Sequence, residues 1–270
     1  MSTKSHSLWI KHGASYVRCI ECTHVYENPR LTQEELKRFY SDEKYFIQRT
    51  GDVPNSGYIN YLLQCNSQLQ NEYFDVIEQH ARVRPGRFLD VGCGSGGVVA
   101  TATRRGWEAM GQEISDWAAE EGRKNGINII NVDLLEARLP SEHFDAISMF
   151  DVLEHLPSPV EYLREIFRIL KPNGVLVIET PNINGFFARW FYKENSDLVK
   201  PRAHISLFTP RSTARLCEQI PFSHVRIVTF PYCRRFSFTY FKGVIATHIL
   251  PGRERMQLTF NESLRIVCWK

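Results

Sequence analysis

The sequence predicts an α/β protein built on a doubly wound, mostly parallel sheet of seven strands, with an antiparallel last strand and a small N-terminal appendage. From residue 85 to about residue 230, short apolar runs alternate with helical patterns, the order expected of successive βαβ units. A glycine-rich turn directly follows the first of these runs, in RFLDVGCGSGG at residues 87–97. The run SLRIVCW at residues 263–269 supplies the closing strand.

Each predicted element has its own signal. Six apolar runs before the closing one predict strands over residues 87–91, 108–114, 127–132, 144–150, 174–180 and 224–230. The intervening segments predict helices near residues 96–105, 116–125, 158–170 and 210–219. Helix-start signals stand at three places: Thr32 with Glu35 and Ser158 with Glu161 in capping-box spacing, and Thr209 before Pro210.

The chain divides into three predicted regions. Residues 1–30 form a short N-terminal segment, and residues 31–83 form helices that cover the ligand site. Residues 84–270 form the main domain, with a basic and aromatic cap insertion at about 231–262. That insertion is longer than a hairpin needs, and it could cap the site or pack in a homodimer.

Composition narrows the function classes. A net charge of +3 is too small to indicate nucleic-acid or membrane partners by itself. The sequence has no apolar window of about 18 residues that would span a bilayer, and its N-terminus lacks the pattern of a signal peptide. Seven cysteines, an odd number, fit a reducing compartment. These features predict a cytoplasmic protein.

Cys19 and Cys22 form the one cysteine pair with close spacing. A C-x-x-C pair is half of a zinc-ribbon pattern, which requires four ligands. No other cysteine precedes the pair, so the alternative is a vestigial ribbon whose cysteines are small buried apolar residues. No metal is assigned.

The glycine turn is a ligand site with two interpretations. Gly92, Gly94 and Gly97 have the G-x-G-x-x-G spacing of dinucleotide sites, while Gly92, Gly94 and Gly96 have the tighter G-x-G-x-G spacing. Ligands of open parallel sheets bind at the carboxyl ends of the strands. Glu113 follows the second strand, where an acid accepts hydrogen bonds from ribose hydroxyls. A nicotinamide cofactor and S-adenosylmethionine both fit these residues.

Sequence segments further along the chain distinguish the two cofactor interpretations. In order and spacing, four segments resemble class I S-adenosylmethionine-dependent methyltransferases, particularly the group of ubiquinone-pathway O-methyltransferases and natural-product enzymes. They are FLDVGCGSGG, GQEIS, NVDLLEARLPSEHFDAISMFDVLEHLPSP and LREIFRILKPNGVLVIETPN, together covering residues 87–182. The resemblance implies a Rossmann-like fold and S-adenosylmethionine as the cofactor.

The resemblance also implies the roles of individual residues. Asp90 would orient the turn or face the cofactor's amino group, Glu113 would bind the ribose, and Asp133 would hold the adenine edge. The full set of implied cofactor-binding residues is Asp90, Gly92, Cys93, Gly94, Glu113, Ile114, Asp133, Leu134 and Phe150.

Two histidines are candidate catalytic residues. His155 follows the fourth strand and His204 follows the fifth, and an imidazole suits a general base that removes a proton from an oxygen acceptor. For His155, a structural role bonded to neighbouring backbone is the alternative. Asp151, Glu154 and His155 also resemble a divalent-metal site of ubiquinone-type enzymes, although the same stretch recurs in relatives with no metal.

The sequence therefore predicts an S-adenosylmethionine-dependent methyltransferase that acts on a small molecule, with oxygen as the favoured acceptor. Three rivals stay open: an RNA- or protein-modifying methyltransferase, a nicotinamide-dependent oxidoreductase, and a non-catalytic cofactor-binding protein. The pattern carries no strong nucleic-acid signal.

Overall fold

The computed structural model describes residues 4–32, 34–35, 38–39, 67–185, 199–230 and 263–270. The cap insertion predicted at about 231–262 lies outside the described residues, as does most of the helical region predicted between residues 31 and 66.

The described elements follow one another as the alternating pattern requires. The strands are β1 (Ser5–Lys11), β2 (Ala14–Cys19), β3 (Val25–Glu27), β4 (Arg87–Val91), β5 (Glu108–Gln112), β6 (Ile129–Ile130), β7 (Phe144–Phe150), β8 (Leu170–Pro181), β9 (Ser206–Leu207), β10 (His224–Phe230) and β11 (Ser263–Trp269). The helices are α1 (Ser67–His80), α2 (Gly97–Arg104), α3 (Asp116–Lys124), α4 (Pro159–Ile169) and α5 (Pro210–Cys217), and a 3₁₀ turn covers Leu153–His155.

The main sheet has seven strands in the order β10-β11-β8-β7-β4-β5-β6. Strands β6, β5, β4, β7 and β8 pair in parallel. Strand β11 lies antiparallel between β8 and β10. The predicted doubly wound, mostly parallel sheet with an antiparallel last strand is confirmed.

Alternate side chains of the central strands enter two cores. Leu89, Ile147 and Leu176 pack on one face with side chains of α4 and α5. Their neighbours Phe88 and Ala146 pack on the other face with side chains of α1 and α2. Because successive residues of a strand point to opposite faces, continuous apolar runs are needed to cover a sheet buried on both sides.

Three local predictions differ from the structure or are sharpened by it. The strand predicted over residues 127–132 is reduced to the two residues of β6, since polar side chains bond to backbone beyond it. The Ser158 side chain makes no capping hydrogen bond, so the capping box predicted there is wrong. Thr209 caps α5 reciprocally with Ser212, and Pro210 begins that helix as predicted.

The N-terminal segment forms a small antiparallel sheet in the order β1-β2-β3-β9, whose fourth strand comes from the main domain. Tyr16 and Val25 are fully buried within it. Cys19 is buried, Cys22 is half-buried, and both are free thiols. Among the residues that the structure describes, no third potential metal ligand groups with these two cysteines.

Within the described residues, no helix has the length and apolar character that a membrane crossing requires.

A buried ion pair joins two central strands of the main sheet. Arg265 of β11 lies opposite Glu179 of β8, and its Nε donates to Glu179 Oε1 at 2.6 Å. The Glu179 side chain is 5% exposed, so its charge has little access to water. Removing the guanidinium would leave a carboxylate desolvated without its ion-pair partner.

We expect Arg265→Met to lower the free energy of unfolding by about 3 kcal/mol, because removing one partner of a buried ion pair leaves the charge of the other partner, Glu179, uncompensated. The matched control is Arg215→Met, whose ion pair with Glu218 is exposed on both sides, and whose loss should stay below about 0.5 kcal/mol. Urea titration measures both values, and equal losses in the two variants would contradict the interpretation.

Candidate active site

The turn after β4 requires glycine at three positions. Gly92, Gly94 and Gly96 have φ angles of +66°, +57° and +83°, in the region that side chains disfavour. A Cβ on Gly92 would lie 2.4 Å from a methyl group of Val152, and a Cβ on Gly96 would lie 2.6 Å from a methyl group of Ile127. A Cβ on Gly94 would meet nothing within 4 Å. The middle of the turn therefore has open space beside it.

Gly97 serves a different purpose from the three turn glycines. A Cβ there would lie 2.0 Å from Nε2 of Gln70, the end of a flexible side chain of α1. Gly97 thus lies beside α1, while the turn itself uses the tighter G-x-G-x-G spacing.

Glu113 ties the glycine turn to the neighbouring strand end. Its Oε2 accepts the Gly94 N–H at 2.8 Å, and its Oε1 accepts the Ser115 N–H at 2.8 Å, at the start of α3. Burial raises the pKa of the Glu113 carboxyl group, against the lowering effect of these backbone N–H groups. Each carboxylate oxygen keeps a lone pair after one such bond, so the group still has the capacity to accept from a ligand.

Asp90 lies directly beneath the same turn. Ser148 Oγ donates to Asp90 Oδ1 at 2.5 Å. Burial raises the pKa of Asp90 to about 7, and the nearby Glu113 charge adds to the rise while the Ser148 hydroxyl opposes it. In the described part of the chain, neither Asp90 nor Glu113 has an ion-pair partner. Two buried carboxyl groups without a cation therefore lie under the open turn.

Cys93, between the first two turn glycines, packs against Gly111 of β5. Burial raises the pKa of its thiol well above the ordinary value, with the charges of Glu113 and Asp90 as further causes. The thiol therefore stays protonated and serves as a small apolar wall at neutral pH.

The remaining predicted cofactor residues are dispersed around the strand ends. Asp133 accepts hydrogen bonds from the Leu135 N–H, at 2.9 Å, and from the Tyr162 hydroxyl. Ile114 packs against Ile205, the residue that follows His204.

Leu134, which the resemblance assigns to the cofactor site, has a side chain that is fully buried in the core shared with α4. The backbone of Leu134 is what remains for a ligand.

Phe150 lies at the end of β7, half-buried and stacked on Tyr73 of α1 with ring centroids 4.2 Å apart. Tyr73 was not among the predicted site residues. Gln112 was also missed: its Nε2 donates to the Val132 carbonyl at 2.6 Å and its Oε1 accepts the Gly92 N–H at 3.4 Å. Its position beside Glu113, at the end of β5, was the available signal.

The two histidines predicted as catalytic candidates lie next to each other. The ring centroids of His155 and His204 are 4.9 Å apart at an interplanar angle of 70°. His155 Nδ1 donates to the Ala203 carbonyl at 2.7 Å, and His155 Nε2 is 3.8 Å from Glu154 Oε1. The expected alternative for His155, a bond to nearby backbone, is therefore present together with the histidine pair.

Glu154 completes this group. It is 1% exposed, and its Oε2 accepts the Thr180 hydroxyl at 2.9 Å. Within the described residues, Glu154, His155 and His204 form the one group of potential metal ligands, with donor atoms within 4.8 Å of one another. Asp151 is not part of it, so the combination of Asp151, Glu154 and His155 suggested by sequence is corrected.

Comparisons with known proteins find relatives of this chain. A family model described as a methyltransferase domain matches residues 65–226. The chain is 28% identical over 168 residues to a ubiquinone biosynthesis O-methyltransferase of Neisseria meningitidis serogroup C, covering 54% of this chain and 67% of that one. It is 32% identical over 116 residues to the Nitrosospira multiformis enzyme of the same name, covering 40% of this chain and 48% of that one. The matched segment thus spans about half to two thirds of these relatives.

The fold has solved counterparts. A SAM-dependent methyltransferase of Archaeoglobus fulgidus superposes with a TM-score of 0.58 at 19% identity, covering 80% of this chain and 100% of that structure. At this identity the likeness concerns the fold alone.

The raised pKa of Asp90 makes stability depend on pH. The unfolded carboxyl group loses its proton near pH 4 and the folded one near pH 7, so the stabilisation from this group is present at low pH and is lost between about pH 4 and pH 7. We expect Asp90→Asn to remove this loss, so that the variant gains about 3 kcal/mol relative to the wild type between pH 5 and pH 8.

Urea unfolding at the two pH values measures the gain for Asp90→Asn. The exposed carboxyl group of Asp116, replaced by Asn, is the control. The same pH dependence in the wild type and in Asp90→Asn would show that Asp90 titrates in the folded protein as it does in water.

Proposed function

The chain belongs to the methyltransferase-domain family of class I S-adenosylmethionine-dependent methyltransferases, and we propose that it transfers a methyl group to an oxygen atom of a small-molecule acceptor. The relatives it matches are named ubiquinone biosynthesis O-methyltransferases, and those names support both the oxygen and the small molecule. Because the match spans only part of these relatives, the acceptor is argued from the site.

The observation that carries the proposal is the pair of buried carboxyl groups, Asp90 and Glu113, under an open glycine turn. A buried charge without a partner is costly, and a cationic ligand at the turn would compensate it. The residues present therefore fit a ligand that carries a sulfonium and an amino group. When bound, S-adenosylmethionine would supply an activated methyl group, since its leaving group is a neutral thioether.

The proposed cofactor contacts follow from the placement of the residues. The turn residues Gly92, Cys93 and Gly94 and the buried acids would hold the charged end, and Glu113 would also accept from the ribose. Asp133, the Leu134 backbone, Ile114 and Phe150 would hold the remainder. Alignment of donor and acceptor in such a site accounts for about 7–11 kcal/mol of barrier reduction in enzymes generally.

His204 is the proposed base for the acceptor's proton. A carbonyl oxygen only accepts hydrogen bonds, so the contact with Ala203 fixes the proton of His155 on Nδ1. His155 Nε2 then lies 3.8 Å from Glu154 Oε1. Both atoms are hydrogen-bond acceptors, so they oppose each other unless a second proton lies between them. Because His155 already bonds the Ala203 carbonyl and lies beside Glu154, we assign the acceptor's proton to His204, whose ring lies next to that of His155.

A macromolecular acceptor is supported only by the basic and aromatic stretch at residues 231–262, which lies outside the described residues. No described feature favours it over a small molecule. We place the reaction in the cytoplasm, an assignment supported by the odd number of cysteines and by the free thiols of Cys19 and Cys22.

We expect S-adenosylhomocysteine, and not NADH, to raise the melting temperature. At 100 times its dissociation constant, a ligand adds about 2.7 kcal/mol of stability, equivalent to roughly 5–10 °C for a chain of this size. Glu113→Gln should reduce the shift at least by half, because the amide loses the negative charge and its NH₂ group faces one of the two backbone N–H groups that Glu113 accepts. The exposed Glu108, replaced by Gln at the start of β5, is the control. A shift with NADH alone would favour the oxidoreductase.

We expect His204→Ala to lower the rate of methyl transfer by at least about 10²-fold, the usual contribution of a general base. The probe is methyl-labelled S-adenosylmethionine with a panel of phenols and catechols, and the product is read by mass spectrometry. His224→Ala, on exposed β10, is the control. Calorimetry with S-adenosylhomocysteine should give the same affinity in both variants. A full rate in His204→Ala would exclude this histidine as the base.

A further inference from the structure

We propose that the N-terminal sheet, β1 to β3, positions His204, and that Tyr16 and Glu27 are the residues through which it acts. This inference rests on the proposed function, since His204 is the proposed base. It assigns a role to a segment for which sequence reasoning offered only a zinc half-site or its remnant.

The strand that follows His204 is built onto the N-terminal sheet and not onto the main sheet. Strand β9 pairs with β3, with Val25 opposite Leu207 and Tyr26 opposite Ser206. The side chains of Tyr16, Val25 and Leu207 share one small buried cluster. The backbone on the C-terminal side of His204 is therefore fixed by residues almost two hundred positions earlier in the chain.

Tyr16 reaches His204 itself. Its hydroxyl donates to the His204 carbonyl at 3.3 Å, and its ring is fully buried. Burial raises the pKa of Tyr16, with the charge of Glu27 as a second cause, so the hydroxyl keeps its proton as a donor. This contact holds the peptide unit of the proposed base directly.

Glu27 makes hydrogen bonds to the backbone on both sides of His204. The Glu27 N–H donates to the Ile205 carbonyl at 3.0 Å, and Glu27 Oε2 accepts the Arg202 N–H at 2.9 Å. Glu27 is buried, although it is charged and lies at the end of a three-residue strand. A buried carboxylate that accepts from a loop N–H on one side of His204 restrains that loop.

Further contacts fix the two ends of the segment formed by residues 199–209. Lys11 Nζ donates to the Val199 carbonyl at 2.7 Å, and the hydroxyl oxygens of Thr23 and Thr209 are 2.9 Å apart. From the opposite side, His155 donates to the Ala203 carbonyl. Residues 199–209 are thus held between the N-terminal sheet and the turn that carries Glu154 and His155. Small displacements of a catalytic group cost rate steeply, so this restraint bears on catalysis.

The test removes one hydroxyl. Tyr16→Phe keeps the buried ring and loses the bond to His204, whereas Tyr26→Phe removes a hydroxyl from the same sheet that bonds to no described residue. We expect Tyr16→Phe to lower kcat by roughly tenfold, with the affinity for S-adenosylhomocysteine within about twofold of the wild type. Amide hydrogen exchange in residues 199–209 should accelerate in Tyr16→Phe and not in Tyr26→Phe.

A second variant protects the test against misfolding. Glu27→Leu fills the buried space without accepting from Arg202, and it should also lower kcat while cofactor affinity is kept. Equal kcat and equal exchange in Tyr16→Phe and Tyr26→Phe would overturn the positioning role. So would a loss of cofactor affinity that parallels the loss of kcat, because that pattern reports general destabilisation.

Failure of the proposed function looks different. If the wild type methylates no acceptor in the panel, the exchange comparison still decides whether Tyr16 restrains the segment, since exchange needs no substrate. Faster exchange in Tyr16→Phe alone would then support the restraint, and unchanged exchange would overturn it.

Discussion

The site depends on the hydrogen bonds that the Glu113 carboxylate accepts from backbone N–H groups. It accepts N–H groups from the glycine turn after β4 and from the start of α3, so one side chain joins the ends of two adjacent parallel strands. Burial makes that charge costly, and its hydrogen bonds only partly compensate the cost. Asp90 lies beneath the same turn, and the described residues provide neither carboxyl group with an ion-pair partner. A cationic cofactor is the natural complement.

The residues proposed to act on the acceptor come from other elements of the fold. Glu154, His155 and His204 come from a turn after β7 and from the segment before β9, and each is held by a contact with backbone or a hydroxyl. The N-terminal sheet adds contacts from outside the parallel sheet, so the proposed cofactor site and the proposed base are held by separate elements of the fold.

Local patterns in the sequence predicted much of this. The glycine turn, Glu113 and Asp133 all follow predicted strands, and parallel strands place their carboxyl ends at one edge, so their proximity was predictable. The apolar run at residues 263–269 predicted the closing strand, which lies antiparallel beside β8. Short polar stretches were less predictable. Side chains that bond to backbone follow the shortened β6, and the Ser158 side chain makes no capping hydrogen bond.

Long-range contacts were not predictable from one sequence. The pairing of β3 with β9, the bond from Tyr16 to His204 and the bond from Thr180 to Glu154 join residues that no periodicity relates. The burial of the Leu134 side chain in the core shared with α4 likewise depends on tertiary packing, which a motif position does not specify.

Proton release on cofactor binding tests the electrostatic basis of the site most directly. Titration calorimetry with S-adenosylmethionine at pH 7, in buffers of different ionisation enthalpy, counts the protons exchanged. A cation placed beside Asp90, whose pKa is about 7, lowers that pKa and should release a measurable fraction of a proton. Binding without any proton release, or no binding heat in any buffer, would contradict the account.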